Sequence, residues 1–569
     1  MQNLLSRSSS PSGPTGHRGA IRANTLVLCV ALLLASAANL NFWSTLVHAV
    51  GGVSTARLPL LLGCFAIVAL LFHGLLTLAS FRFVAKPVLI LMILTASGVA
   101  WFINEYGIVI DRAMVQNVFE TDSREAAELL NWRLALFVLL TGGLPSMLVA
   151  RARIAFPGGL RGVLQRIGIS AGSLALAAVL LLILFKSLAP VVREHRELRF
   201  LLTPTNAIQA LDGYLRTRWS EPVTLAPLGR DAAKGRNWAG RQRRTVTVIV
   251  VGETARAASF SLNGYARETN PRLAREDGLI NFSHVQSCGT ATAVSVPCVF
   301  SGLGRERYDD ARARRQEGLL DVLSHAGFRV IWRDNNSGCK GACDRVETVD
   351  LSRPASGNPH CAGDECYDEG LLEGLPELIR NEGKQAGGKD LVIVLHQKGS
   401  HGPAYAKRYP AGFGRFGPVC ESSEFEECSR ESIVAAYDNT ILYTDHVLAR
   451  TIDILREAAQ EGATGDAGGV DTAMLYFSDH GESLGEGNMY LHGAPWMFAP
   501  EQQTHVPMMF WMSKGFGQRF RIDRACLRAR RDQELSHDNV FHSVLGMLDV
   551  ETAVRNPKLD LFHACVRNG

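Results

Sequence analysis

The first 190 residues contain five long stretches without a single Asp, Glu, Lys or Arg, and this pattern constrains the fold more than any other feature. A helix that crosses a bilayer needs roughly 20 apolar residues, with a range of about 17 to 25. The stretches span residues 23–56, 58–81, 87–104, 134–150 and 167–185. A buried core helix explains one such stretch but not five. We therefore predict five membrane spans, and a cleaved signal peptide is not favoured because further spans follow the first.

Basic residues in the short loops predict the orientation, since positively charged loops stay in the cytoplasm. Arg and Lys occur in the tail before the first span and in the loops after the second and fourth spans, at positions 7, 18, 22, 82, 86, 151, 153, 161 and 166. The loop 105–132 instead holds six acidic residues against two arginines. The N-terminus is therefore expected inside, and everything after Lys186 outside.

Ten of the twelve cysteines lie in the second half of the chain, on the predicted outer side. An even, locally paired set in an oxidising compartment indicates disulfides. Proximity predicts four pairs and elimination leaves a fifth: Cys288–Cys298, Cys339–Cys343, Cys361–Cys366, Cys420–Cys428 and Cys526–Cys565. Zinc-binding thiolates are the alternative for the second and third pairs, because their spacing is ligand-like.

In the second half, short β-branched runs alternate with helical stretches, as in an α/β domain with a mostly parallel sheet. The runs are 245–251, 328–332, 391–395, 473–477 and 506–512, and helical patterns cover 319–326, 371–380 and 431–459. The predicted fold is an N-terminal five-helix transmembrane domain followed by this α/β domain. The expected divisions are a disordered cytoplasmic tail (1–22), the five spans (23–190), an interfacial helix with a linker (191–243) and a periplasmic catalytic domain (244–569).

Polar clusters follow three of these runs. Glu253 comes directly after the first run, His396 and His401 follow the run 391–395, and Asp479-His480 follows the run 473–477. Functional groups of parallel sheets gather just beyond the carboxyl ends of the strands. Carboxylates and imidazoles at these positions suit a zinc-type site with oxygen and nitrogen ligands. A single cluster is better explained as a loop histidine, but three at corresponding strand ends are not.

The segment between Cys288 and Cys298 contains candidate nucleophiles, namely the hydroxyls of Thr290, Thr292 and Ser295. A hydroxyl held near a metal becomes a nucleophile close to neutral pH. A helix that begins at Thr292 would also present free N–H groups to a phosphate, although Pro297 would kink or delay that helix. The residues alone do not choose among the three hydroxyls, and a disulfide-stapled turn without chemistry stays the alternative.

These motifs resemble the lipid A phosphoethanolamine transferases of the alkaline-phosphatase superfamily, which include the mobile colistin-resistance enzymes. The matching stretches, in the same order, are Gly252–Arg256, Cys288–Cys298, Lys398–Pro403, Ser478–Ser483 and Tyr490–Gly493. The resemblance covers nearly the whole chain, including the five spans. The N-terminal tail is longer than in close members, and the family motifs assign no partner to Cys526 or Cys565.

The resemblance implies roles for individual residues. Four correspond to the ligands of a catalytic zinc ion, with the threonine as nucleophile: Glu253, Thr292, Asp479 and His480. Two correspond to groups that contact the phosphoryl group or a second zinc: His401 and His492. Five correspond to substrate contacts: Ser337, Lys340, Asn117, Thr121 and Glu125. The last three lie in the external membrane loop, where their spacing alone indicates only the polar face of a helix.

The implied reaction has two steps. Thr292, activated by zinc, takes phosphoethanolamine from phosphatidylethanolamine, and the group then passes to a phosphate of lipid A in lipopolysaccharide. Transfer to another envelope glycan, or phosphoglycerol transfer by the same chemistry, stays open. A sulfatase would need Cys or Ser in a C/S-x-P/A-x-R context, which no cysteine here provides. A membrane-anchored binding protein with a decayed site would be expected to have lost a ligand or Thr292.

We therefore expect a zinc-dependent, monomeric enzyme of the bacterial inner membrane, with its catalytic domain in the periplasm and a link to polymyxin resistance. One catalytic zinc ion is expected and a second is possible. The net charge is only +4, from 59 basic and 55 acidic residues, which argues against a nucleic-acid partner. The acceptor, the metal in the cell and the physiological importance of resistance are not fixed by the residues.

Overall fold

The computed structural model describes residues 20–108, 110–120, 127, 129–195, 198–218, 224–240, 243–353, 359–362, 365–384, 389–461 and 469–567. The chain forms two compact units. One consists of Met1–Glu105 and Trp132–Ala207, and the other of Tyr106–Asn131 and Ile208–Gly569. The loop between the third and fourth spans thus belongs to the unit that contains the sheet, and the predicted tail 1–22 lies largely outside the described residues.

The first unit contains five helices that are long and apolar enough to cross a membrane, in agreement with the five predicted windows. They span Ala23–Ala49, Leu58–Leu78, Ala85–Tyr106, Trp132–Arg151 and Gly159–Ala189. The corresponding helical elements, with the loop helix α5, are α1 (Ala23–Ala35), α2 (Leu40–Ala49), α3 (Leu58–Leu78), α4 (Ala85–Tyr106), α5 (Arg112–Glu120), α6 (Trp132–Val138), α7 (Leu144–Arg151) and α8 (Gly159–Glu194). A π-helical turn, Leu139–Gly143, joins α6 to α7 where the fourth window contains its two glycines.

Apolar side chains cover the outer surface of this unit. Leu62, Leu148 and Leu182 are 60%, 70% and 75% exposed. A protein in water rarely exposes so large an apolar surface, whereas lipid solvates it. Inside the unit, His73 contacts Asn24 and Ser173 at 2.9 Å, so its buried ring nitrogens have polar partners. The exposed leucines and the paired interior polar groups are those expected of membrane-spanning helices.

The second unit is built on a seven-stranded sheet. Its strands are β1 (Arg244–Gly252), β2 (Ile280–Phe282), β3 (Arg329–Asp334), β4 (Glu347–Asp350), β5 (Leu391–His396), β6 (Val470–Ser478) and β7 (Met508–Met512). They lie in the order β2-β7-β6-β1-β5-β3-β4. The five strands from β6 to β4 are parallel, and β7 runs antiparallel to both neighbours. The predicted, mostly parallel sheet is confirmed, and it gains the short strands β2 and β4, which the sequence pattern did not predict.

Both faces of the central strands are buried, since every residue of β5 and β6 is buried, which is why these runs are apolar without alternation. The remaining helices are α9 (Leu198–Leu201), α10 (Thr205–Arg218), α11 (Thr292–Ser301), α12 (Asp310–Ala313), α13 (Leu319–His325), α14 (Leu375–Lys384), α15 (Arg430–Glu461), α16 (Glu501–Thr504), α17 (Lys514–Arg519), α18 (Arg524–Ala529) and α19 (Asp538–Met547). In the central strand β1, Val248 and Ile249 are fully buried, as is Leu475 in β6. This arrangement places the carboxyl ends of β1, β5 and β6 side by side.

Part of the predicted linker 191–243 is a folded component of the second unit. Ala233–Lys234 pairs with Val550–Glu551 as a short antiparallel ladder. Trp238 is buried against Phe328, and its Nε1 donates a hydrogen bond to the carbonyl of Leu548 at 2.7 Å. Although the stretch is rich in Pro, Gly and Arg, the buried side chain of Trp238 anchors it to the second unit. At its start the stretch is helical, because α8 continues to Glu194.

The structure contains the five disulfides that proximity and elimination predict: Cys288–Cys298, Cys339–Cys343, Cys361–Cys366, Cys420–Cys428 and Cys526–Cys565. Their Cα atoms are 4.0 to 6.2 Å apart. Because the second and third pairs are disulfides, they do not supply thiolates to a zinc ion. Cys29 and Cys64 are free and lie in the membrane helices, as expected.

Candidate active site and metal centre

The parallel sheet brings three ligand-type side chains together at its carboxyl edge. Glu253 follows β1, and Asp479 and His480 follow the adjacent strand β6. All three side chains are fully buried, and one ligand atom from each lies within 4.8 Å of the others. Two carboxylates and an imidazole at this separation can hold one divalent cation.

The orientation of His480 favours such a cation. Its Nδ1 lies 2.9 Å from the carbonyl of Gly481, which fixes the proton on Nδ1 and turns Nε2 toward the carboxylates. Nε2 lies 3.4 Å from Glu253 Oε1 and 3.4 Å from Asp479 Oδ2. Asp479 Oδ2 is buried and has no hydrogen-bond partner among the described residues. An orphaned buried carboxylate oxygen beside an imidazole nitrogen is consistent with a metal ligand set.

The electrostatics of the cluster also favour a cation. Burial opposes ionisation of Glu253, but the hydrogen bond and charge of His480, together with the charges of His401 and His492, hold its pKa well below the usual range. Burial and the neighbouring carboxylate of Glu253 raise the pKa of Asp479 to about 6. Burial lowers the pKa of His480, yet the two carboxylates outweigh it and raise that pKa to about 10. The two acids thus strongly stabilise positive charge between them, whether a proton or a metal ion carries it.

The structure separates the three candidate hydroxyls. Thr292 is the first residue of α11, and its Oγ1 lies 3.0 and 3.1 Å from the two Glu253 oxygens and 3.2 Å from His480 Nε2. Thr290 instead donates to the carbonyl of Ala494, and Ser295 donates to the carbonyl of Asp479. Only Thr292, of these three, directs its hydroxyl into the cluster. α11 begins at Thr292 despite Pro297 within it, so the N–H groups at the start of the helix adjoin this hydroxyl.

Two side chains that sequence reasoning did not single out hold the carboxylates. The Thr254 backbone N–H donates to Asp479 Oδ1 at 3.0 Å, and its hydroxyl donates to Glu253 Oε1 at 2.5 Å. Thr254 has φ +59°, a strained conformation for a β-branched residue. Asn336, after β3, donates from Nδ2 to Glu253 Oε2 at 2.7 Å. No local motif marks Asn336, because it reaches Glu253 only through the pairing of β3, β5 and β1.

A second group of side chains lies beside the cluster. The rings of His480 and His492 are 4.4 Å apart, and those of His401 and His492 are 5.5 Å apart. His492 Nδ1 contacts Glu482 Oε2 at 2.9 Å, and the Tyr405 hydroxyl donates to Glu482 Oε1 at 2.5 Å. Glu482 therefore fixes the ring of His492 and leaves its Nε2 for the site. The two histidines expected beside the zinc ligands are thus brought to them.

The other predicted contacts divide into described and undescribed positions. Ser337 directly follows Asn336, and Lys340 Nζ donates to the Ser337 carbonyl and hydroxyl, both at 3.0 Å. His396 is a supporting residue: its Nδ1 lies 3.0 Å from Asp334 Oδ2 behind the cluster. Asn117 lies on α5, whereas Thr121 and Glu125 fall outside the described residues.

The loop helix α5 lies against α11, the helix that begins with Thr292. Gln116 is buried, and its Nε2 is 3.4 Å from the carbonyl of Ala293 and 3.4 Å from Asp310 Oδ1. Arg112 pairs with the same Asp310 at 3.6 Å. The membrane loop expected to hold the lipid substrate is therefore in direct contact with the helix that begins at Thr292.

Comparison with known proteins identifies the family of this chain. A family model described as phosphoethanolamine transferase EptA/EptB matches residues 67–219, and one described as sulfatase matches residues 245–550. The chain is 38% identical to phosphoethanolamine transferase EptA of Escherichia coli, over 95% of this chain and 96% of the relative. The chain belongs to the phosphoethanolamine transferase family. It is equally 38% identical to the phosphatidylethanolamine transferase Mcr-1 of Escherichia coli, over 94% of this chain and 96% of that protein.

A solved structure agrees with this membership in the phosphoethanolamine transferases. The integral membrane lipooligosaccharide phosphoethanolamine transferase A (EptA) of Neisseria meningitidis superposes with a TM-score of 0.90 at 32% identity, covering 96% of this chain and all of that one. The predicted family, its membrane anchoring and its α/β domain are thereby confirmed. The match to the sulfatase model concerns the fold of residues 245–550. Within them, Cys288 forms a disulfide with Cys298 and is not a free cysteine.

Proposed function

We propose that this phosphoethanolamine transferase moves phosphoethanolamine from phosphatidylethanolamine to a phosphate of lipid A, at the periplasmic face of the bacterial inner membrane. Thr292 is the nucleophile and a zinc ion is held by Glu253, Asp479 and His480. The observation that carries the proposal is the position of Thr292 Oγ1, within 3.2 Å of both Glu253 and His480. The names of the relatives, a phosphatidylethanolamine transferase and a lipooligosaccharide phosphoethanolamine transferase, support the donor and the acceptor.

The ligand set fits the proposed zinc ion. Two carboxylates and one imidazole leave a coordination position open, as in catalytic rather than structural zinc sites. When bound, the ion would lower the pKa of the Thr292 hydroxyl and balance charge on the phosphoryl oxygens. Thr254 and Asn336 hold the ligands through hydrogen bonds to Asp479 and Glu253, so the site is organised by the protein itself.

In the first step, the Thr292 hydroxyl gives its proton to His492, Thr292 Oγ forms a bond to the donor phosphorus, and the bond from phosphorus to the glycerol oxygen breaks. His492 then gives this proton to the departing diacylglycerol oxygen; the contact of its Nδ1 with Glu482 and its ring distance of 4.4 Å from His480 support this role. In the second step, an acceptor phosphate hydroxyl attacks the same phosphorus and loses its proton, and Thr292 Oγ is released and takes up a proton. The N–H groups at the start of α11 stabilise negative charge on the phosphoryl oxygens in both steps.

The test is a comparison of three hydroxyl variants in the full-length protein. Thr292→Ala is expected to reduce lipid A modification at least about 10³-fold, because a nucleophile has no substitute in the cluster. Thr290→Ala and Ser295→Ala are the matched controls, since each removes a buried hydroxyl from the same disulfide loop. Lipid A is analysed by mass spectrometry from cells that express each variant. Near wild-type modification by Thr292→Ala would refute the covalent mechanism.

Three further measurements separate the parts of the proposal. Digestion after incubation with phosphatidylethanolamine should yield the Thr292 peptide with an added phosphoethanolamine group. Metal analysis of the purified protein should find zinc in the wild type and a deficit in Asp479→Asn. Activity lost to a chelator should return with zinc. A protein that works fully after complete metal removal would disprove the metal part while leaving the threonine part standing.

A further inference from the structure

A large cavity lies within the unit of membrane helices, whereas the cluster around Glu253 lies in the other unit. It has a volume of about 1020 Å³ and is formed by the start of α1, the turn between α3 and α4, and the segment that leads into α8. The basic loops that predict a cytoplasmic location form its walls. All of these segments belong to the unit of membrane helices.

Three arginines line this cavity: Arg22, Arg82 and Arg166. No carboxylate of the described residues lines it. The sequence explains why, since it contains no Asp or Glu from residue 1 to 104 or from residue 129 to 193. Among the described residues that line the cavity, the three guanidinium groups therefore have no side-chain counter-ion, and an anionic ligand would balance their charge.

The cavity is held by specific contacts. Arg166 donates from Nη1 to the Ser80 carbonyl at 3.0 Å, and its guanidinium lies 4.4 Å from the centre of the Phe81 ring. Arg22 lies in a two-residue strand that pairs with Ile154–Ala155. The fold thus fixes the guanidinium of Arg166 and the backbone of Arg22. In the same wall, Thr77 Oγ1 is buried and has no hydrogen-bond partner among the described residues, so the cavity also offers an unused hydroxyl.

The rest of the lining is apolar and points to a lipid rather than to a small soluble anion. Phe81, Phe83, Ile154 and Phe156 line the cavity together with the arginines. The arginines stand at the ends of charge-free spans, which is the depth of a phospholipid headgroup. Basic pockets between membrane helices on the cytoplasmic side are suited to anionic headgroups.

We propose that this cavity binds an anionic phospholipid of the cytoplasmic leaflet through its phosphate, with Arg22, Arg82 and Arg166 as the recognising groups. The site differs in selectivity from the transfer site. Phosphatidylethanolamine is zwitterionic, so its ammonium group would meet three arginines, whereas phosphatidylglycerol brings a net negative charge. The proposal does not depend on the assignment of Thr292 or of a metal.

The experiment uses the full-length protein in detergent micelles, titrated with phosphatidylglycerol or phosphatidylethanolamine and followed by native mass spectrometry and thermal unfolding. Wild type should retain phosphatidylglycerol preferentially and unfold at a higher temperature when it is bound. A surface arginine contributes about 1 kcal/mol to anionic lipid binding, so each substitution should weaken binding about fivefold. Arg22→Gln/Arg82→Gln should therefore lose about 25-fold, and the triple variant with Arg166→Gln about 100-fold.

The matched control is Arg151→Gln/Arg161→Gln, which removes two exposed arginines of the same predicted face that do not line the cavity. The Arg22/Arg82 double variant avoids the packed Arg166, so it should fold even if the triple variant does not. Equal losses in the double variant and the control would overturn the site, because they would show only general surface attraction. Because phosphatidylethanolamine also binds at the proposed transfer site, the loss of binding caused by Arg22→Gln/Arg82→Gln is compared for the two lipids. An equal loss for both lipids, or the same stabilisation by inorganic phosphate alone, would overturn the assignment to an anionic phospholipid.

Discussion

Replacing Asn336 with alanine tests how the fold holds the proposed metal ligand Glu253. The Asn336 amide donates from Nδ2 to Glu253 Oε2 at 2.7 Å and to the Gln397 carbonyl at 2.9 Å. It is 4% exposed, so water does not replace these bonds freely. Without the amide, Glu253 keeps the bonds from the Thr254 and Thr292 hydroxyls but loses the short amide bond to Oε2.

The expected loss of zinc affinity follows from the kind of hydrogen bond that Asn336→Ala removes. A hydrogen bond to a charged group contributes about 1.5 to 3 kcal/mol, which corresponds to roughly 10- to 150-fold in an equilibrium constant. Outer partners of metal ligands typically change metal affinity by about 10- to 100-fold. We therefore expect Asn336→Ala to bind zinc about 10- to 100-fold more weakly. At saturating zinc, much of its activity should return, because Thr292 and all three ligands are still present.

The assay is competition for zinc between the purified full-length protein and a chelator of known affinity, followed by activity at low and saturating zinc. Asn335→Ala is the matched control, since Asn335 is 3% exposed and donates to Asp368 and to the Cys366 carbonyl rather than to Glu253. Both variants should lose stability, but only Asn336→Ala should lose zinc affinity. Equal zinc affinities in the two variants would refute the role of Asn336.

Three further outcomes are expected. Gln116→Ala should raise KM for the donor lipid about fivefold and leave kcat within twofold. The reason is that it loosens α5 from α11 at a cost of about 1 kcal/mol. An unchanged KM in steady-state kinetics would contradict this. Burial, with the charges of Arg307 and Arg555, lowers the pKa of His542 to about 4. The stability that neutral His542 contributes is complete above pH 6.5 and is lost as the pH falls toward 4. The free energy of unfolding should therefore be about 1 to 2 kcal/mol smaller at pH 5 than at pH 7.5. If a His542→Gln variant kept this acid sensitivity, a group other than His542 would be its source. Serine at both Cys526 and Cys565, which are 39 residues apart, should lower the free energy of unfolding by about 2 to 4 kcal/mol in denaturant titrations, and no loss would mean that the bond adds nothing to stability.

Features that depend on local order along the chain were predictable from the sequence. Charge-free windows found the five membrane helices, because a lipid solvent requires continuous apolar segments. Apolar β-branched runs predicted the core strands. The polar residues after β1 and β6 pointed to Glu253, Asp479 and His480, because the carboxyl ends of parallel strands lie at one edge of the sheet. Four disulfides followed from proximity in sequence, since short loops close at little entropic cost.

Features that depend on contacts between distant segments were decided only by the tertiary structure. Asn336 lies 83 residues from Glu253, and no spacing rule connects them until β3, β5 and β1 pair. Trp238 looked like part of a linker because burial is a property of the packed unit and not of composition. The loop helix α5 reaches α11 across 177 residues of sequence, from Gln116 to Ala293. Family resemblance singles out Thr292, but that its hydroxyl alone of the three points to Glu253 is a property of three dimensions, imposed by the start of α11 and its neighbours.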